Sequence, residues 1–179
     1  MASTSVSSSK VSITALRATS TNPANWAGGA LPDALLILVP RHPERFDAVR
    51  QLLARQGFGF VTRTSGALPT NEDSVFLGDT MGEVPLFYSS ADVAFVGGTL
   101  VPVGGHNLLE PAALGLPVVT GPHLFNTQDI ADKFEASGAL SRVESADRLA
   151  ATVTRLLQDG DEARRLGLVG RDLVVKNRG

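Results

Sequence analysis

From Ala34 onward the chain alternates short apolar runs with stretches whose apolar residues recur at helical spacing. The run ALLILV over 34–39 is continuous and is stopped by Pro40. A run of that length without polar alternation suits a strand buried on both faces. Over 43–56, Phe46, Val49, Leu52 and Leu53 fall on one helical stripe, and Gly57 follows it. The same reading predicts strands over 58–62, 75–77, 92–96, 117–120 and 139–143, with polar loop over 63–74. It predicts helices over 83–90, 108–114, 127–136, 146–157 and 162–176, with Pro111 tolerated in a first turn. Strand and helix alternate with short connections, which predicts an α/β domain, a Rossmann-like doubly wound parallel sheet. Ligands of such sheets bind beyond the carboxyl ends of the strands. Attention therefore falls on Pro40 to His42, Gly78 to Glu83, Gly97 to Glu110 and Thr120 to Asn126.

The first 22 residues break this pattern: half are Ser or Thr, and Lys10 and Arg17 are the only charges before Asp33. Such a stretch buries too little apolar surface to offset its ordering entropy, so an irregular segment is expected over 1–31. Three readings stay open: an organelle transit peptide, an added or aberrant stretch, and a genuine strand with a flexible lead. The stretch NPANWAGGAL over 22–31 reads as turn-rich loop.

Composition narrows the function classes. With 43% hydrophobic and 19% charged residues in 179, the chain can bury a core. A net charge of -2 argues against a nucleic-acid partner, which calls for a concentrated basic face. The absence of cysteine removes disulfides, thiolate metal sites and Cys nucleophiles together. The three histidines have no metal-ligand spacing, and Asp159-Gly160-Asp161 reads as a turn and helix cap between two helices. No metal site is expected.

The segments after the strands carry the candidate chemistry. Gly97, Gly98, Gly104 and Gly105 bracket a loop that opens a helix; it either lets a phosphate approach the backbone or serves tight packing. Glu110, in the first turn of that helix, either accepts from ribose hydroxyls or compensates the helix dipole. Arg41 either forks a phosphate or pairs with Glu44 on the surface. His42 and His106 are structural hydrogen-bonders or participants in the site. Glu83 accepts from a sugar or base, or is a helix N-terminal acid. Arg63, in the long polar loop, is expected to matter less to a ligand than Arg41.

PRHPER over 40–45, GDTMGE over 78–83, FVGG over 95–98, GGHNLLEP over 104–111 and GPHLFN over 121–126 resemble, in order and spacing, the 3-deoxy-D-manno-octulosonic acid (Kdo) transferases of lipopolysaccharide synthesis. The resemblance covers residues 32–179. It implies a GT-B glycosyltransferase with two Rossmann-like domains, of which this chain is the C-terminal, donor-binding half. It also implies transfer of Kdo from CMP-Kdo to a lipid A precursor at the cytoplasmic face of the bacterial inner membrane, with no metal or other cofactor. By the family pattern Pro40, Arg41, Met81, Gly82, Glu83, Asn107, Leu108, Leu109 and Glu110 contact CMP. Arg41 and the helix amides hold phosphate, and Glu110 holds ribose. Gly97, Gly98, Gly104, Gly105, His106 and Asn126 support the loops. Family enzymes are more than twice as long, and their general base is a glutamate of the N-terminal domain. The chain alone is thus expected to be soluble and to carry no catalytic residue. Two alternatives remain: a domain of a GT-B enzyme acting on UDP-sugars, and a non-catalytic nucleotide-binding module.

Overall fold

The computed structural model describes residues 34–102, 104–125 and 127–177, and the backbone of a strand at Ile13–Ala18. Among the described residues the strands are β1 (Ile13–Ala18), β2 (Ala34–Val39), β3 (Phe60–Thr62), β4 (Val75–Leu77), β5 (Val93–Val96), β6 (Val118–Thr120) and β7 (Leu140–Arg142). The helices are α1 (Phe46–Arg55), α2 (Val84–Ser89), α3 (Leu109–Ala113), α4 (Gln128–Ala136), α5 (Ala146–Gln158) and α6 (Gly160–Lys176). Every element expected from Ala34 onward is present, with ends shifted by one or two residues, except that α1 begins three residues late, after a 3-10 turn at Pro43–Arg45.

The strands form one sheet in the order β3-β4-β2-β1-β5-β6-β7. Two parallel halves, β2-β4-β3 and β5-β6-β7, run outward from the centre. Alternation along the strands feeds two layers of helices. Leu38 packs with Val49 and Leu53 of α1, whereas its neighbours Ile37 and Val39 pack with Phe87 and Tyr88 of α2. Likewise Val118 joins Ala131 and Phe134 of α4, and Val119 joins Val153 and Leu156 of α5. Complete burial of side chains such as Leu77, Val93 and Val96 stabilises each by about 1.5–3 kcal/mol relative to exposure.

β1 departs from two expectations. It lies within the segment expected to be irregular, and it runs antiparallel to both β2 and β5, so the sheet is mixed rather than wholly parallel. Parallel pairing with β2 requires a crossover of about a dozen residues, usually a helix. The sequence between β1 and β2 is rich in turn residues and lacks a helical stripe. The rest of residues 1–31 lies outside the described residues. Among the described residues, no helix is long and apolar enough to cross a membrane.

Candidate functional site: a cleft at the carboxyl edge of the sheet

Ile13 is paired with Val39 on one side and Val96 on the other. The carboxyl ends of β2 and β5 therefore face each other across the start of β1, where the two parallel halves diverge. Such a divergence is where doubly wound sheets leave a crevice for ligands. A cleft of 220 Å³ opens there. Val39, Pro40 and Arg41 form one wall; Thr80, Met81, Gly82, Val84 and Tyr88 form the second; His106, Asn107 and Glu110 form the third. Three motifs separated in sequence thus converge on one hollow. A larger hollow, 1080 Å³ along α5 and α6, contains none of these motif residues.

Arg41 reaches across the cleft, and its Nη1 donates to His106 Nδ1 at 2.6 Å. A guanidinium has no acceptor, so Nδ1 must be the unprotonated nitrogen. Burial lowers the His106 pKa, and the charges of Arg41 and His42 lower it further. Glu44 lies 3.9 Å from His42. Asn107 organises the third wall: its carbonyl oxygen accepts from Leu109 N–H at 3.0 Å, and its amide donates to Glu110 at 3.2 Å. One of the N–H groups at the start of α3 is thereby occupied by the protein's own side chain. Tyr88 is buried behind the cleft, and burial with the charge of Glu110 raises its pKa.

The glycines expected to support the site act through backbone geometry. Gly98 and Gly105 have φ of 74° and 75°, and Gly105 N–H donates to Gly98 carbonyl at 3.1 Å, closing the loop. A Cβ on Gly105 would lie 2.7 Å from Thr99 Cγ2. The buried Thr99 hydroxyl donates to Val96 carbonyl and accepts from Gly121 N–H, both at 2.7 Å, which ties the loops after β5 and β6 together. Gly97 and Gly104 are buried in the same loop. This geometry fits tight packing at Gly105 and leaves the cleft to side chains at its rim.

Other expected residues lie elsewhere. Leu108 is fully buried in the core with Val96 and Phe134. Leu109 turns to a second hollow of 510 Å³ between α3, α4 and α6. Glu83 is absent from the cleft lining; Arg63 forks its carboxylate at 2.9–3.3 Å and the Thr80 hydroxyl donates to it. Those contacts hold the Glu83 pKa below the usual carboxylate range. Asn126 lies outside the described residues. Arg63, expected to be peripheral, is thus joined to the loop that lines the cleft.

Sequence reasoning also missed Asp79. Its side chain is fully buried and accepts from Thr64 N–H at 2.9 Å, from the Thr64 hydroxyl and from Arg50. Burial pushes its pKa up, but the bonds from Thr64 and Arg50 outweigh burial and leave it below the ordinary value. The only signal in the sequence was its place immediately after a strand. Nothing marked Thr64 or Arg50 as its partners.

The group 1 glycosyl transferase family model matches residues 62–172. The 3-deoxy-D-manno-octulosonic acid transferase of Haemophilus influenzae is 46% identical over 149 residues, 83% of this chain and 35% of that protein. The enzyme of the same name from Bordetella pertussis is 45% identical over 65% of this chain and 28% of its own length. The chain therefore spans about a third of the curated relatives it matches. Among solved structures, the C-terminal CMP-Kdo binding domain of WaaA from Acinetobacter baumannii superposes with a TM-score of 0.75 at 36% identity, covering 79% of this chain and 73% of that one. A sucrose-phosphate synthase from Thermosynechococcus elongatus, at 24% identity and a TM-score of 0.54 over 78% of this chain and 33% of its own, shares the fold. Shared sequence over most of the chain, a shared Rossmann-like GT-B domain and a matching family model place this chain in the 3-deoxy-D-manno-octulosonic acid transferase family of glycosyltransferases.

Proposed function

We propose that the chain is the donor-binding domain of a Kdo transferase, that it holds CMP-Kdo at the cleft between β2, β4 and β5, and that the parent enzyme passes Kdo to a lipid A precursor at the cytoplasmic face of the inner membrane without a metal. The observation that carries the reading is convergence: Arg41, Met81, Gly82, Asn107 and Glu110, from three motifs, line one cleft. Its chemistry suits a nucleotide. Arg41 is a fixed cation with a fork matched to phosphate; at the rim, the Glu110 carboxylate suits ribose hydroxyls. A cleft of 220 Å³ is below the ~300–1,000 Å³ common for ligand pockets, as fits one wall of a site shared with another domain.

Transfer to an alcohol needs a base within hydrogen-bond reach of the attacking hydroxyl. Glu83 is held by Arg63 and Thr80, and Glu110 is assigned to the nucleotide. By the family resemblance the base is a glutamate of the other domain, so the 179-residue chain is expected to bind CMP and to transfer no sugar.

The test is calorimetry with Arg41→Ala, using Arg164→Ala as control, because Arg164 sits on α6 in an exposed pair with Asp161. A hydrogen bond to a charged group contributes about 1.5–3 kcal/mol. CMP affinity should fall about tenfold or more for Arg41→Ala and stay unchanged for Arg164→Ala. Equal affinities for both variants would refute the assignment.

A further inference from the structure

Two successive residues of one turn hold both ends of the loop that lines the cleft. After β3 the chain makes a short 3-10 turn, Arg63–Ser65, fixed by the Thr62 side chain accepting from Ser65 N–H. Thr64 binds the buried Asp79 through its N–H and its hydroxyl. Arg63 forks Glu83 with Nε and Nη2. Asp79 and Glu83 flank Thr80, Met81 and Gly82, the residues that form the second wall of the cleft. Arg50 of α1 closes the network on the far side of Asp79. Neither Arg63 nor Thr64 lines the cleft.

We propose that the Arg63–Ser65 turn is a clamp that sets the Asp79–Glu83 loop in its ligand-receiving shape, with Arg63 and Thr64 acting as positioning residues for the nucleotide site. This inference rests on the reading of the cleft as the CMP site. A loop with one free end samples many shapes and loses affinity through the population that cannot receive ligand. A loop fixed at both ends meets the ligand preorganised. The clamp uses charge-assisted bonds to two carboxylates, and one of them, Asp79, is wholly shielded from water, where such bonds resist screening.

The test uses the full chain and three variants: Arg63→Gln, Thr64→Val and Thr64→Ser. CMP affinity is measured by calorimetry, and the amide resonances of Met81 and Gly82 are followed by NMR. Arg63→Gln and Thr64→Val should each weaken CMP about three- to tenfold and move both resonances while the strand amides stay in place. Thr64→Ser, which keeps the hydroxyl, should restore affinity to within twofold of the parent. Unchanged affinity in Arg63→Gln and Thr64→Val would overturn the clamp, as would failure of Thr64→Ser to rescue or collapse of the whole spectrum in all three variants. If the parent chain does not bind CMP, the site reading fails, and the Met81 and Gly82 resonances still report whether the turn sets the loop.

Discussion

At the scale of single residues, His106 reports most directly on the state of the cleft. Its half-buried ring accepts from Arg41 and sits near His42, and both partial burial and those charges disfavour its protonated form. The sign follows from linkage. Between the lowered folded-state pKa and the ordinary value of about 6.5, the unfolded chain binds the proton and the folded chain does not. His106 therefore contributes stability that is fully present above that ordinary value and is lost as pH falls through the folded-state pKa. An NMR titration of the ring should give a midpoint below 6.5, rising toward the ordinary value in Arg41→Ala; a midpoint above 6.5 in the parent chain would contradict the geometry. Rim positions such as Arg41 and Glu110 were legible in the sequence because position after a strand and residue chemistry point the same way, whereas Met81 was marked only by the family resemblance. The second layer was not. The bond from Thr64 to Asp79 spans 15 positions and that from Arg63 to Glu83 spans 20, and no local pattern encodes which turn meets which loop.

At the scale of elements, helix α6 shows packing overriding propensity. Gly167 and Gly170 lie in its buried face. A Cβ on Gly167 would fall 1.8 Å from the carbonyl oxygen of Gly115, at the turn that follows α3. In an isolated helix, Gly→Ala is favourable by about 1 kcal/mol. Overpacking costs about 1–3 kcal/mol, and here the obstruction is backbone that cannot rotate aside. The collision should win: Gly167→Ala is expected to lower Tm by roughly 2–8 °C, whereas a rise in Tm would show that the two elements separate easily. Strands and helices after Ala34 were legible because buried strands read as continuous apolar runs and helices carry a stripe. The segment 63–74 held less signal: its Arg63–Ser65 turn is fixed by side-chain bonds rather than by periodicity. A strand near β1 was only one of three readings left open, because Ser and Thr dominate its surroundings and dilute the apolar alternation.

At the scale of the whole molecule, β1 joins the two parallel halves of the sheet and brings the carboxyl ends of β2 and β5 to the same cleft. As the central strand, β1 is paired on both edges over residues 13–16, and hydrogen exchange there should be as slow as in β5. Rapid exchange there would leave β2 and β5 without the partner that aligns them. The central claim is that this cleft receives a cytidine nucleotide, the half of the reaction that a donor domain supplies. A calorimetric titration of the 179-residue chain with CMP and, separately, with UMP tests it most directly. The expected result is saturable binding of CMP, weakened by Arg41→Ala, with UMP bound at least about tenfold more weakly, the difference that roughly 1.4 kcal/mol of base discrimination gives. Preference for UMP would support a domain acting on UDP-sugars, and binding of neither nucleotide would contradict the assignment of the cleft.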